Sequence, residues 1–223
     1  AGYGTKYYYG GDADFTNMRS YLVSQGINDI VSDMSFPVKD RMSKWGVPDD
    51  KLFERLKADL KDDRIGTPML RIIQTSSSHE PFDVPYNRLA DERLNAFAFA
   101  DSCVGNFVSA LKASPQWKSS LVILLPDHQG CWPIGISNED LGHYHIPTIW
   151  TGGALAKGGE VDIIGSQQDL AATLLGQLNI NHDDMLFSKD MLNPAVPHFA
   201  FFTVNDLFGM ITEDNSLIFD NKS

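Results

Sequence analysis

Asp127 and His128 stand side by side in "LVILLPDHQG", residues 121–130. A carboxylate oxygen next to an imidazole nitrogen is a donor pair suited to Zn²⁺ or Mn²⁺. The same two residues also read as a turn cap followed by a surface histidine, and the dipeptide alone leaves both readings open. What distinguishes it is its place: Leu121 to Leu125 reads as a strand buried on both faces, and the pair follows where that strand must end. His79 lies in a second polar loop, "TSSSHEPFDVP", with several hydroxyls and a carboxylate; a plain polar turn shaped by Glu80-Pro81 is the alternative. His143 and His145, in "LGHYHIPTIW", approach the next strand through the loop that begins at the Asp-His pair. Each faces either the same cleft or solvent.

The elements that must position these residues alternate. "YYYGG" is a short strand, and "DADFTNMRSYLVSQG" is a helix with Phe15, Met18 and Leu22 on one face and Gly26 as a stop. "INDIVS" is a strand, "PDDKLFERLKADLKDD" an amphipathic helix, and "PMLRIIQT" the strand that runs into the His79 loop. A long helix is expected from about Asn87 to Lys112, with Asp101 interrupting an apolar stripe of Leu94, Phe97, Val104, Val108 and Leu111; a structural role for Asp101 is favoured. "HIPTIWTGG" is a further strand. "SQQDLAATLLGQLNI" is a helix with Ser166 at its N-cap and Asp169 three residues on, a capping-box arrangement. "HFAFFTV", "FGMIT" and "SLIFD" form a small antiparallel set.

Strand–helix alternation predicts an α/β fold: a mainly parallel sheet with helices on both faces, and a small antiparallel C-terminal part. Residues 1–195 are expected to form the α/β domain, with 196–223 packed on it. Ligands of such sheets sit at the carboxyl ends of the strands. There, His79, Asp127, His128 and at least one of His143 and His145 are expected to converge.

Composition narrows the functions. A net charge of −11 over 223 residues argues against a general nucleic-acid binder, which needs a basic face. It leaves room for a small anionic substrate at a locally positive site. No apolar run approaches the roughly 18 residues of a membrane span. Cys103 and Cys131 form no C-x-x-C pair and read as two separate, partly buried thiols. There is no G-x-S-x-G elbow, no G-x-x-x-x-G-K-[ST] loop and no H-E-x-x-H.

Six segments, "YYYGGDADFTNMRSYLVSQG", "TSSSHEPFDVP", "DSCVGNFVSAL", "LVILLPDHQG", "HIPTIWTGGAL" and "IIGSQQDLAATLLGQL", occur in an order and spacing that resembles the sulfatase branch of the alkaline phosphatase superfamily. The likeness is greatest to the lipoteichoic acid synthase-like phosphoglycerol and phosphoethanolamine transferases, and it covers the chain to about residue 195. The resemblance implies a divalent metal (Mn, Zn, Mg or Ca) with Asp127 and His128 as two of its ligands. It implies His79 as a contact to the phosphate-like group, and His145 and His143 on the leaving-group side. Arg19 and Asn17 lie where the family binds substrate. It further implies a phosphate or sulfate ester substrate, lipid- or glycan-linked, handled on the periplasmic or extracellular face of a bacterial membrane.

Two departures from the family pattern stand out. Gln129 takes the place of the glycine in the usual "DHG", with Pro126 before the pair and "CWP" after it. The family's nucleophile and an acidic ligand precede the first matched segment, so this chain is expected to be the C-terminal portion of a longer enzyme. On that reading it is inactive alone, binds metal weakly or not at all, and has an exposed sheet edge able to pair with another copy. A sulfatase-fold binding or regulatory module is the alternative, favoured by the changes around Asp127-His128.

Overall fold

The computed structural model describes residues 2–63, 66–130 and 134–222. They fall into two compact units, Ala1–Leu121 with Gly152–Ala154, and Val122–Thr151 with Leu155–Ser223.

The first unit carries a three-stranded sheet in the order β2-β1-β3, with β1 at Gly4–Tyr9, β2 at Ile30–Val31 and β3 at Met69–Gln74. Both pairings are parallel, from Gly4 opposite Met69 to Tyr9 opposite Gln74, and Tyr7 opposite Ile30. Successive side chains of a strand point to opposite faces, and the run of three tyrosines uses both. Tyr7 and Tyr9 pack with Leu22 of α1 (Met18–Ser24) and with Ile27 and Ile30. Tyr8 is fully buried on the other face, and its hydroxyl donates to Asp59 of α2 (Asp49–Asp62) at 2.9 Å. Lys6 and Arg55 close on the same Asp59 carboxylate at 2.9 Å each. Helices therefore cover both sheet faces, the α/β arrangement that the alternation predicts.

Three local differences have physical causes. The first expected helix is split: a 3-10 turn at Phe15–Asn17 precedes α1, because Thr16 and Asn17 sit at φ 52° and 62°. No regular right-handed helix passes through two left-handed residues. The long helix α3 spans Glu92–Lys112 and begins five residues later than expected, where Asp91 accepts the Arg93 and Leu94 N–H groups. Its buried stripe is Ala96, Phe99, Cys103, Phe107 and Leu111, set by stacking of Phe107 on Phe53 of α2 at 5.2 Å between centroids. Asp101 is consequently exposed, not on the buried face as expected. A helix apolar nearly all round gives no face by periodicity alone. By length and composition α3 is also apolar enough to cross a membrane, although Asp101 interrupts its apolar run; here it packs against α2.

The second unit holds β4 (Val122–Leu124) and β5 (Ile149–Thr151), paired antiparallel with Leu124 opposite Ile149. The strand leading to Asp127 was expected in the parallel sheet; it belongs instead to this two-stranded ladder. Parallel neighbours need a long crossover, most often helical. The link between β4 and β5 contains only a 3-10 turn at Leu141–Tyr144 among its described residues. The helix α4 covers Asp169–Gln177. Asp169 caps backward as expected, accepting the Ser166 N–H at 2.8 Å, but the Ser166 hydroxyl goes elsewhere and accepts the Phe201 N–H at 2.6 Å. Strands β6 (Phe199–Val204), β7 (Leu207–Thr212) and β8 (Ser216–Asp220) form the antiparallel C-terminal sheet in sequence order. Phe201, Phe208 and Phe219 stack across one of its faces.

Candidate functional site

His79 follows β3 in the loop that the sequence singled out. That loop is held by Asp49, the first residue of α2, whose side chain is fully buried. Its carboxylate accepts the Ser76 N–H at 2.9 Å and the Ser77 N–H at 3.3 Å, and the Asp49 N–H donates to the Ser77 hydroxyl at 2.9 Å. Burial pushes the Asp49 carboxyl above its ordinary range, against the pull of those N–H groups.

The His79 ring is exposed and oriented on two sides. Its Nδ1 lies 2.9 Å from the Glu80 carbonyl oxygen. A carbonyl only accepts, so Nδ1 carries the proton and Nε2 is left free. The indole of Trp45 packs against the imidazole with centroids 4.4 Å apart, and its N–H donates to the same Glu80 oxygen at 2.6 Å. Phe15 meets the indole edge-on at 5.8 Å.

Glycines bring Trp45 there. Gly46 sits at φ +86°, and a Cβ on it would meet the Gly10 carbonyl oxygen at 1.9 Å. The Val47 N–H donates to that oxygen at 3.0 Å. The loop 42–48 thus lies backbone to backbone on the carboxyl end of β1. A narrow cleft lined by Gly46, Ser77, His79 and Asp83 opens nearby. A wider one of about 440 Å³, which shares Met42 and Asp83 with it, is lined by Phe82, Tyr86, Asn87 and Glu92 as well.

Arg19 and Asn17 belong to the same unit. Arg19 Nε pairs with the exposed Asp14 at 2.8 Å, and its Nη2 donates to the buried Ser32 hydroxyl at 3.3 Å. Asn17 is the left-handed residue that precedes α1.

Asp127 and His128 belong to the second unit and are both exposed. Asp127 Oδ2 lies 3.4 Å from His128 Nε2, and His128 Nδ1 lies 2.8 Å from the Gln129 carbonyl oxygen. Two ligands each about 2.1 Å from one ion at a tetrahedral angle are about 3.4 Å apart. The pair therefore fits as two neighbouring ligands of one cation. Among the described residues, no group of three His, Cys, Asp or Glu gathers to complete such a shell. Gln167 clamps the loop from beside: its side-chain amide donates to the Pro126 and Asp127 carbonyls at 2.7 Å each. The Gln129 Oε1 is buried without a partner among the described residues.

The β4–β5 register puts the end of β4 and the start of β5 at the same end of the ladder, so His143 and His145 enter from the end at which Asp127 and His128 leave. His143 packs edge-on against Tyr144 at 5.1 Å, and Tyr144 stacks on Phe202. His145 is exposed. Cys103 is a buried free thiol, pushed up to about 12 by burial and then by Asp49. Cys131 and the rest of "CWP" lie outside the described residues.

The family model described as Sulfatase matches residues 1–180. The chain belongs to the sulfatase family. It is 25% identical over 221 residues to Phosphoglycerol transferase I of Xanthomonas axonopodis pv. citri, covering 88% of this chain and 30% of that protein. A crystal structure of a protein in the alkaline phosphatase superfamily from Vibrio parahaemolyticus superposes with a TM-score of 0.86 at 26% identity, over 98% of this chain and 55% of that one. The lipoteichoic acid synthase LtaP from Listeria monocytogenes shares the fold, with a TM-score of 0.77 at 19% identity, over 99% of this chain and 63% of that one. The sulfatase-family chain thus spans between about a third and two thirds of the length of these relatives, and its fold is alkaline phosphatase-like.

Sequence reasoning missed Trp45, Asp49 and Gln167. The signals were present in "WGVPDD", a Trp-Gly turn ahead of a Pro-Asp helix start, and in a polar "SQQD" opening α4. Nothing in those strings names the loops that they hold.

Proposed function

We propose that this chain is part of a metal-dependent enzyme that transfers or hydrolyses phosphate or sulfate esters, with its nucleophile on a segment outside these 223 residues. The observation that carries this reading is the 3.4 Å spacing of Asp127 Oδ2 and His128 Nε2 at the mouth of β4, in a chain of the sulfatase family. A divalent metal held by these two residues would supply charge to polarise an ester oxygen. Within the first unit, His79 offers its free Nε2 as a contact for an anionic group. Arg19, in the same unit as His79, offers a guanidinium to an anion. Its pair with the exposed Asp14 is of the kind worth little in water, so exchanging that partner for substrate costs little. His145, exposed at the entry to β5, would protonate a leaving oxygen, with His143 two residues before it. Asn17, the left-handed residue ahead of α1, lies two positions before Arg19 and would add an amide to the same anion contact. The wider cleft beside His79 has room for the alcohol portion of the ester. The name of the relative phosphoglycerol transferase I supports a phosphoglycerol-type ester.

The test is Mn²⁺ titration followed by NMR of the histidine rings. His128 signals should broaden first, and Asp127→Ala should abolish the effect. Broadening that spares His128, or that survives Asp127→Ala, overturns the reading.

A further inference from the structure

Trp45 touches His79 in two ways at once, and the two act on different properties of the imidazole. Its ring packs against the imidazole at 4.4 Å, tilted by 51°, which limits where the ring plane can swing. Its N–H donates to the Glu80 carbonyl oxygen at 2.6 Å, and His79 Nδ1 lies 2.9 Å from the same oxygen. A carbonyl oxygen has two lone pairs and can take both donors. The indole thereby anchors the acceptor that selects the Nδ1–H tautomer of His79. Trp45 is itself fixed: Phe15 meets its edge at 5.8 Å, the Lys44 ammonium lies 5.1 Å from its centroid, and Gly46 seats its loop on Gly10. His79 is exposed and has no other ring partner among the contacts described.

We propose that Trp45 is a positioning residue for His79: it holds the imidazole as the Nδ1–H tautomer, with Nε2 presented outward to the substrate's anionic group. The substrate part of this statement rests on the proposed function; the tautomer part does not. An imidazole locked in this way presents the same atom whether neutral or protonated. Its Nε2 is a lone pair in the first state and a donor in the second, with no ring flip between them. Without the indole, the ring gains rotamers and the second tautomer, and a fraction of the molecules present the wrong nitrogen.

The experiment is ¹⁵N imidazole NMR on the 223-residue chain, with Trp45→Phe and Trp45→Leu. Wild type should show His79 as the Nδ1–H form when neutral. Trp45→Phe keeps an aromatic face and loses the N–H; Trp45→Leu loses both. The tautomer ratio should move towards Nε2–H in the order Phe then Leu, by about threefold to tenfold in Leu, the span of one net hydrogen bond. His182, whose Nδ1 lies 3.0 Å from the Ile180 carbonyl, is the internal control and should keep its own signals in both variants. An unchanged His79 ratio in Trp45→Leu with His182 intact overturns the proposal. If Trp45→Leu disturbs His182 too, Trp45→Phe decides: a shift confined to His79 supports positioning, and no shift overturns it. Titration with inorganic phosphate separates the two readings. A wild-type tautomer as expected with no response of His79 to phosphate leaves the positioning role standing and removes the substrate role.

Discussion

Asp49 and Ser77 hold each other from both sides: the Asp49 carboxylate accepts the Ser77 N–H at 3.3 Å, and the Asp49 N–H donates to the Ser77 hydroxyl at 2.9 Å. This reciprocal bond ties the start of α2 to the loop that carries His79. Asp49→Ala leaves the Ser76 and Ser77 N–H groups without their acceptor in a buried site. A loss of about 1–3 kcal/mol is expected from urea unfolding. Asp49→Asn keeps an acceptor and should cost less.

The same residue gives the first unit a pH dependence. Burial raises the Asp49 carboxyl on folding. A raised carboxyl binds its proton more tightly in the folded state, so this contribution favours folding below the ordinary aspartate range. It declines as pH rises through the window between the unfolded and folded values. Asp49→Asn cannot ionise and should flatten that part of the stability–pH curve. An unchanged slope in the variant would show that other groups set it.

Gly46→Ala should be far more costly than Gly26→Ala. Both glycines have positive φ, +86° and +83°, so both substitutions carry the left-handed penalty, roughly 1–3 kcal/mol. Only at Gly46 would the new Cβ also strike backbone, the Gly10 carbonyl oxygen at 1.9 Å, whereas Gly26 has nothing within 4 Å. Comparing the two in urea isolates the contact. Gly46→Ala should also detach Trp45 from His79, which a shift in the His79 ring signals would report.

How far the sequence carries can be judged from these residues. The tyrosine strand, the two helices on its faces and the C-terminal hairpins follow from periodicity, because burial on one or both sides leaves a repeating pattern. The position of Asp127 and His128 just past a strand was legible, because an apolar run breaks there at Pro126. The partner of β4 was not legible: three-residue strands carry no orientation signal, and the antiparallel pairing follows from the lack of a helical crossover. The buried face of α3 was not legible either, since the choice between Asp101 and Cys103 depends on where Phe53 stands. Trp45, Asp49 and Gln167 act on backbone atoms of distant loops, and backbone acceptors leave no trace in residue type.

Asp169 anchors the second unit. It is almost fully buried, pairs with the Lys189 ammonium, and accepts the Ser166 N–H at 2.8 Å and the Lys189 N–H at 3.1 Å. Asp169→Ala leaves a nearly buried ammonium with, among the described residues, only the Phe199 carbonyl at 2.8 Å and the Phe199 ring. Removing one partner of such a pair costs about 3–5 kcal/mol. The double variant Asp169→Leu with Lys189→Met should be less destabilised than Asp169→Ala, because no charge is left buried. Thermal unfolding of the three proteins checks this, and a double variant weaker than the single one would show that the two backbone N–H groups dominate.

Gln167 offers the cleanest separation of loop geometry from ligand chemistry. Its side-chain amide donates to the Pro126 and Asp127 carbonyl oxygens at 2.7 Å each, and it supplies no atom to the Asp127–His128 pair. The residue is exposed, so Gln167→Ala creates no cavity. What it removes is the brace that holds the Asp127 backbone at the end of β4. Groups that orient metal ligands from behind typically change affinity by about 10- to 100-fold. Calorimetric titration with Mn²⁺ should therefore show weak binding by the wild-type chain, since two protein ligands are fewer than the three of a catalytic zinc site. Gln167→Ala should weaken it by about tenfold with the thermal midpoint little changed, and Asp127→Ala should abolish it. Tight stoichiometric binding in the wild type would show that more than two ligands are present. Equal affinity in wild type and Gln167→Ala would show that the amide clamp does not orient the pair.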